Sequence, residues 1–503
     1  MNPRAAARRT WVLAAGAGIA LATGLAPLHL WPLSLVTLVA IGALFLKATS
    51  ARQAAWTGWI FGAAYFAVAF SWIVEPFLVD IPRHGWMAPF ALILTAGGMA
   101  LFWALAFWMG YRLARSPAGR LLGLILAWSL AEFARAYVLS GLPWAALAQI
   151  WPGTPVALLL AWVGPHGLAA LTLAATLPLA LLLCAETRHV MAGLPLILTC
   201  AAVWASASNA PPVTQTGATV RLIQPNAPQH QKWHPDFIWG FFDRQVRYTA
   251  AGGAEARPDL IVWPESSIPP FLHNATDTLT AISQAAQGVP VVAGIRRREA
   301  QRIYNSLIVI GAAGTVAQTY DKHHLVPFGE YVPLGGLLSR IGITGFASEN
   351  GQGYSAGPGP RMLDLGSLGL AVPLICYEAV FPHDVNGAPA RGRMLLQITN
   401  DAWFGQINGP YQHLAQARMR AIEQGLPMVR VANTGISAVI DPRGGIVDHL
   451  PLGEAGYLDV ALPAPHAPTV YSATGDLPLF AGLVALTLGL GALQIRHRPR
   501  NSN

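Results

Sequence analysis

Long apolar runs separated by short polar connections fill the first 210 residues. The runs at 11–28, 31–46, 54–74, 87–111, 121–139, 160–184 and 190–207, with an isolated one at 477–495, are predicted to be membrane-spanning helices, because crossing a bilayer core takes roughly 17 to 25 apolar residues. The second run is short, and Gly164, Pro165 and Gly167 interrupt the sixth. From about Ala210 the texture changes. Pro, Asp, Asn and Gln become common, and "ATVRLIQPN", "DLIVWPE", "PVVAGI", "YNSLIVIGAAG", "GLAVPLIC" and "RMLLQITN" each read as a buried strand bounded by turn residues. Helical stretches such as "HPDFIWGFFDRQVRYTAA" and "TLTAISQAAQG" alternate with them, and "PMVRVANTG", "SAVIDPRGG" and "GYLDVAL" read as a further sheet. The pattern predicts an integral membrane helical bundle of eight spans (1–208 and 471–503) carrying an α/β sandwich domain (209–470). The Gly- and Pro-rich segment 339–360 reads as a long loop and lid.

Composition supports the membrane reading: 53% of the 503 residues are hydrophobic and 11% charged, and the mean hydropathy is +0.43. An ordinary soluble enzyme is excluded. Charge placement orients the spans. Arg4, Arg8 and Arg9 precede the first; Lys47 and Arg52, then Arg112, Arg115 and Arg120, then Arg188 fall in every second connection; Arg496, Arg498 and Arg500 follow the last. The other connections are nearly free of Lys and Arg, with Arg83 the exception, so both termini are expected in the cytoplasm and residues 208–476 outside it. The formal net charge of +8 is then mostly topology, and nucleic-acid binding is not expected. A basic start before an apolar run also fits a secretory signal, but six further runs follow and no small-residue cleavage site does, so the first run reads as an anchor.

The candidate chemistry lies where buried strands stop. "DLIVWPE" ends at Glu265, "TVAQTYDK" at Lys322 and "LAVPLIC" at Cys376; the other two cysteines, Cys184 and Cys200, sit in apolar runs. A thiol that attacks a carbonyl needs a base to take its proton, and the resulting oxyanion needs a positive or N–H donor. Glu, Lys and Cys supply these roles. Taken singly, each residue has a structural alternative: a core cysteine, a helix-capping glutamate, a solvated lysine. His323 and His324 adjoin Lys322, and no metal-ligand spacing such as HExxH or paired CxxC occurs, so neither a metal nor any other cofactor is expected.

"WPES", "YDKHHLVPFGEYVP", "CYE" and "TNDAWFG" resemble, in order and spacing, the nitrilase superfamily with its Glu-Lys-Cys triad. Together with the spans, and with "LAPLHLWPLSL", "AEFARAYVLSGLPW", "QPNAPQHQKW" and "YSATGDLP", the whole chain is similar to the superfamily's membrane-embedded branch, the bacterial apolipoprotein N-acyltransferases. The resemblance implies an αββα nitrilase-like fold on the periplasmic side of the inner membrane. It implies that Glu265 deprotonates Cys376, and that the thiolate takes an acyl chain from a phospholipid as a thioester. Lys322 and the backbone N–H of Tyr377 would stabilise the oxyanion. The acyl chain would then pass, in a ping-pong sequence, to the α-amino group of a diacylglyceryl-cysteine on an apolipoprotein acceptor. By the same resemblance Glu330 supports Lys322, Glu378 shapes the site beside the nucleophile, and Trp233 lines a mobile entrance. Both substrates are lipids reacting at headgroup depth, which gives the spans a purpose; a monomer suffices. Glu132 and Arg135, three apart in the fifth run, are expected to pair in the bundle interior, or else Arg135 to grip a headgroup phosphate.

Two other readings are open on the residues alone. A membrane-tethered amidase hydrolysing small amides would use the same triad with water as second nucleophile. A transporter with an extracytoplasmic binding domain would need ionisable groups at midspan and internal repeats, and the sequence offers few of the former and no clear case of the latter.

Overall fold

The computed structural model describes residues 3–183, 190–252, 257–333 and 353–496. Most of the expected lid, 339–352, lies outside these, as do Arg188 and Cys184. The chain divides into two compact units, one of residues 1–74, 83–210 and 469–503, the other of 75–82 and 211–468.

The first unit is helical. Among the described residues, four helical segments are long and apolar enough to cross a membrane: Ile81–Leu113, Pro155–Leu183, Met191–Ser208 and Leu477–Gln494. Ala51–Ala69 with Ser71–Leu78 adds a fifth bent by 60°, and Trp31–Leu46 is shorter. The interruption expected near Gly164 is present as a kink, with φ +64 at Gly164, where an added Cβ would meet the Tyr471 ring at 2.1 Å. Packing between helices follows small residues. A Cβ on Gly58 of the helix Ala51–Ala69 would fall 2.6 Å from Phe107 Cγ on Ala88–Leu113, so the two backbones approach only because that Cβ is missing. Around this contact Phe61, Tyr65, Phe66, Trp103, Phe107 and Trp128 form a buried aromatic cluster. Trp103 Nε1 donates to Glu132 Oε1 (2.8 Å), and Glu132 Oε2 pairs with Arg135 at 2.7 Å. Arg135 is 2% exposed and also donates to the carbonyls of Leu142 and Trp144. The pairing expectation therefore holds, and the headgroup alternative for Arg135 does not.

The second unit holds twelve strands among its described residues: β1 Gln215–Gln224, β2 Leu260–Val262, β3 Val291–Glu299, β4 Arg302–Ile310, β5 Val316–Asp321, β6 Leu363–Asp364, β7 Leu370–Ile375, β8 Met394–Thr399, β9 Met428–Ala432, β10 Ser437–Ile440, β11 Ile446–Leu450 and β12 Gly456–Pro463. They form two six-stranded sheets, ordered β12-β1-β2-β3-β4-β5 and β11-β10-β9-β8-β7-β6. The late strands are not a further sheet, as their position suggested. β9 and β10 extend the sheet of β7 and β8, and β12 pairs antiparallel with β1, which otherwise would be an unpaired edge. β1-β2-β3 and β7-β8-β9 run parallel, and their near-continuous Val, Ile and Leu are covered on one face by helices. Phe242, Leu279 and Ile282, from the helices Pro235–Ala250 and Thr276–Ala286, pack on the first sheet; Leu414, Ala417 and Ala421, from Gly409–Gln424, pack on the second. On their other faces the sheets meet, where Ser437 N donates to Gln224 Oε1 at 3.1 Å. This is an αββα sandwich.

Candidate active site

Glu265 and Cys376 lie just past the carboxyl ends of β2 and β7, and Lys322 directly follows β5. Glycine 294 makes the first placement possible: a Cβ there would come 2.4 Å from Ser266 N and 2.7 Å from Glu265 Cα. All three side chains are buried. Lys322 Nζ is 2.7 Å from Glu330 Oε2 and 3.9 Å from Glu265 Oε1. Asn305, in the middle of β4, donates from Nδ2 to both carboxylates, at 2.7 Å to Glu265 Oε1 and 3.1 Å to Glu330 Oε1. Glu330 Oε2 accepts in addition from Val326 N (2.9 Å), so this carboxylate is fully engaged.

Cys376 has φ +52, a left-handed conformation that costs a non-glycine residue about 1–3 kcal/mol and persists only where its surroundings hold it. Two contacts do so. Ile375 N donates to Glu378 Oε2 at 2.7 Å, and Gln397 Nε2 donates to the Cys376 carbonyl at 3.1 Å. Gln397 also lies 3.2 Å from His413 Nε2, while His413 Nδ1 is 2.9 Å from Asp401 Oδ1. Burial, with Arg430 assisting, holds His413 below the usual imidazole range, and its Nε2 also lies 3.2 Å from the Cys376 carbonyl. Arg430 pairs with the other Asp401 oxygen and with Gln397 Oε1. The strained turn rests on a buried, charge-compensated platform.

The electrostatics fit a base beside an unionised thiol. Burial, reinforced by Glu265, pushes the Cys376 thiol well above its ordinary value, with Lys322 opposing. The thiol is therefore protonated at neutral pH and must lose its proton as it attacks. Burial likewise raises Glu265, with Lys322 opposing and Glu330 assisting, which makes it a stronger base than a solvated carboxylate. Burial would lower Lys322, but Glu330 and Glu265 outweigh it and keep the ammonium charged.

Of the remaining expected residues, Glu330 touches Lys322 directly. Glu378 is fully buried and binds backbone on both sides of the site: Ile375 N, and His323 N at 2.8 Å. The Tyr377 ring stands edge-on to Phe381, with centroids 4.8 Å apart. The Trp233 ring lies under the Arg296 guanidinium at 4.2 Å. Three residues escaped the sequence reading. Asn305 is a polar break in the apolar run of "YNSLIVI", which was the available signal. Lys232 is 6% exposed and donates from Nζ to the Glu265 carbonyl at 3.0 Å; burial, against the attraction of Glu265, pushes it down to about 8. Gln397 sits at an inward position of β8 with no distinguishing motif.

Residues 172–467 match the carbon-nitrogen hydrolase family, and residues 17–177 match the apolipoprotein N-acyltransferase N-terminal domain. An apolipoprotein N-acyltransferase of Rhodopseudomonas palustris is 37% identical over 98% of this chain and 96% of its own length. The chain belongs to the apolipoprotein N-acyltransferase family. Relatives of the same description from Bradyrhizobium diazoefficiens and Caulobacter vibrioides are 36% and 35% identical, covering 97% and 89% of this chain and 95% and 88% of theirs. Among solved structures, an amidase from Nesterenkonia sp. AN1, bearing a covalent acetamide adduct at its active-site cysteine, covers 54% of this chain and 99% of its own at 19% identity, with a TM-score of 0.36. The apolipoprotein N-acyltransferase family is thus supported over both units, and neither the small-amide hydrolase nor the transporter reading is favoured.

Proposed function

We propose that this chain transfers an acyl group from a membrane phospholipid, through a thioester on Cys376, to the α-amino group of the N-terminal diacylglyceryl-cysteine of apolipoproteins. The observation that carries the reading is the burial of Glu265, Lys322 and Cys376 just past the ends of β2, β5 and β7, with Lys322 bridging the Glu265 and Glu330 carboxylates. Glu265 takes the Cys376 proton as sulfur attacks the ester carbonyl. Lys322 and the Tyr377 N–H receive the oxyanion, and the lysophospholipid oxygen leaves with the proton returned from Glu265. The acceptor amine then attacks the thioester, Glu265 again taking a proton, and the amide product departs from a regenerated thiol. Glu378 fixes the nucleophile turn, and Trp233 lines the entrance.

The wider assignment is part of the same proposal. The chain crosses the bacterial inner membrane eight times with both termini cytoplasmic, residues 209–470 form the periplasmic catalytic domain, 1–208 and 471–503 the membrane part, and one copy suffices. The apolar helices and the alternation of Lys and Arg between them support this. The deciding experiment is intact mass of the purified protein after exposure to phospholipid. One added acyl mass, removed by hydroxylamine or by a diacylated lipopeptide and absent from Cys376→Ser, is expected; an unchanged mass under conditions of turnover refutes the reading.

A further inference from the structure

The groups that the proposed reaction leaves unexplained sit together behind the nucleophile turn. His323 directly follows Lys322, and its Nδ1 lies 2.7 Å from Glu378 Oε1. The same carboxylate oxygen accepts from the backbone N–H groups of His323 (2.8 Å) and His324 (3.3 Å), while its other oxygen holds Ile375 N, next to Cys376. On its far side, His323 Nε2 is 3.7 Å from Asp384 Oδ1, beyond hydrogen-bond length but within reach of an ion pair. Asp384, on the short helix Pro382–Asn386, is in turn fixed by His324 Nδ1 at 2.7 Å. His324 is stacked on Phe381 with ring centroids 3.6 Å apart.

We infer that His323 is a positioning residue for the acyl transfer: an imidazolium, held between Glu378 and Asp384, that clamps the loop bearing Lys322 to the turn bearing Cys376. This inference rests on the proposed thioester chemistry. The chemical need is clear. Lys322 arrives from one sheet and Cys376 from the other, so the two reacting positions keep register only through ties that cross between sheets. Glu378 is such a tie, but alone it would be a fully buried carboxylate facing backbone dipoles with no cation. His323 supplies that charge, and its second nitrogen faces a second carboxylate, so loss of the proton would leave Glu378 to backbone dipoles alone and would take one of three imidazoles from around Asp384.

The carboxylates around the ring favour the charged form, while the neighbouring cation Lys322 opposes it. From β5 come Tyr320, whose hydroxyl lies 2.8 Å from Nδ1, and Asp321; from the turn after β7, Glu378; from the short helix, Asp384 and His383; from the loop itself, Lys322 and His324. Burial would lower His323, but Asp384 and Glu378 outweigh it and raise it to about 10. The sign follows from linkage: a raised histidine contributes stabilisation that is complete below its unfolded value near 6.5 and disappears as pH rises through about 10.

The test follows formation of the acyl-thioester on the full-length, detergent-solubilised chain, by intact mass, between pH 6 and 11. Wild-type protein is expected to acylate with a decline near pH 10. His323→Gln, which keeps a donor toward Glu378 but no charge, is expected to acylate about tenfold more slowly with the phospholipid KM unchanged, and to lack that decline. Asp384→Asn removes one of the two carboxylates and is expected to move the decline to lower pH. A His323→Gln protein with the wild-type rate and profile overturns the clamp. So does an Asp384→Asn profile that does not move, which decides the matter even where His323→Gln fails to fold. Absence of any thioester in the wild type is a different failure, that of the proposed reaction itself.

Discussion

Replacing Glu330 with Gln removes one charge and leaves every heavy atom in place, so it isolates what the buried carboxylate does. Three donors converge on Glu330: Lys322 Nζ at 2.7 Å, Val326 N at 2.9 Å and Asn305 Nδ2 at 3.1 Å. An amide offers one accepting oxygen and brings two donors of its own. If its oxygen serves Lys322 and Val326, its NH2 confronts that of Asn305; if Asn305 flips to compensate, its oxygen turns toward Glu265. One buried donor or acceptor loses its partner in either arrangement, at about 1–3 kcal/mol, and removing one partner of a buried ion pair costs about 3–5 kcal/mol in comparable cases. Loss of the Glu330 charge also lowers Glu265, because Glu330 is one of the groups holding it up, and so weakens the base. With roughly 1.4 kcal/mol per decade, thioester formation is expected to slow by about two to three orders of magnitude, while Glu330→Asp, which keeps the charge, recovers part of the loss. The assay is single-turnover acylation by phospholipid, read by intact mass in parallel with a melting curve. Near-wild-type acylation by Glu330→Gln would refute the claim that this carboxylate keeps Lys322 charged and in place.

Gly294→Ala places a methyl 2.4 Å from Ser266 N and should displace the Glu265 turn, with an expected loss of about 100-fold in acylation; an unchanged rate would show that the turn can yield without consequence. Lys232 is lowered to about 8, so between pH 8 and its ordinary 10.5 the unfolded chain holds a proton that the folded one has released. Lys232 therefore makes stability rise with pH across that window by about 3 kcal/mol, and the difference between wild-type and Lys232→Met melting temperatures should change in that direction; a constant difference refutes it. Arg430→Met strands the buried Asp401 carboxylate and should cost about 3–5 kcal/mol of stability, seen as a lowered denaturation midpoint in detergent. Gly58→Val forces the helices Ala51–Ala69 and Ala88–Leu113 apart, because its Cβ would overlap Phe107; a variant that melts like the wild type would show that this contact is not a tight one.

Of the proposed triad, Glu265 and Cys376 could be read from the sequence because each ends an apolar run, where a polar group must either cap something or react; Lys322 follows the mixed run "VAQTYD" and stood out only beside the other two. The strands themselves were visible for the same reason, being buried on both faces and so nearly all Val, Ile and Leu. Their partners were not visible. Asn305 and Lys232 reach the Glu265 carboxyl group and carbonyl from 40 and 33 positions away, and Asp401, His413, Gln397 and Arg430 meet only because β8, β9 and a helix are layered. No local spacing encodes those meetings. The sheet assignment of the late strands failed likewise, since pairing of β12 with β1 joins residues near 460 to residues near 220.

In the proposed eight-span arrangement, the Glu132 and Arg135 pair bears on how its helix enters a bilayer. Residues 117–137 contain Arg120, Glu132 and Arg135, and a tally that charges each ion separately for leaving water makes this helix a poor candidate for insertion. The last two, however, share one face and are joined at 2.7 Å, with Trp103 donating to Glu132 and two main-chain carbonyls accepting from Arg135. What the hydrocarbon has to accept is then a small dipole wrapped in indole and backbone, not two ions. Insertion of this segment should consequently depend on the helix that supplies Trp103, so that the two are released from the translocation machinery as a unit.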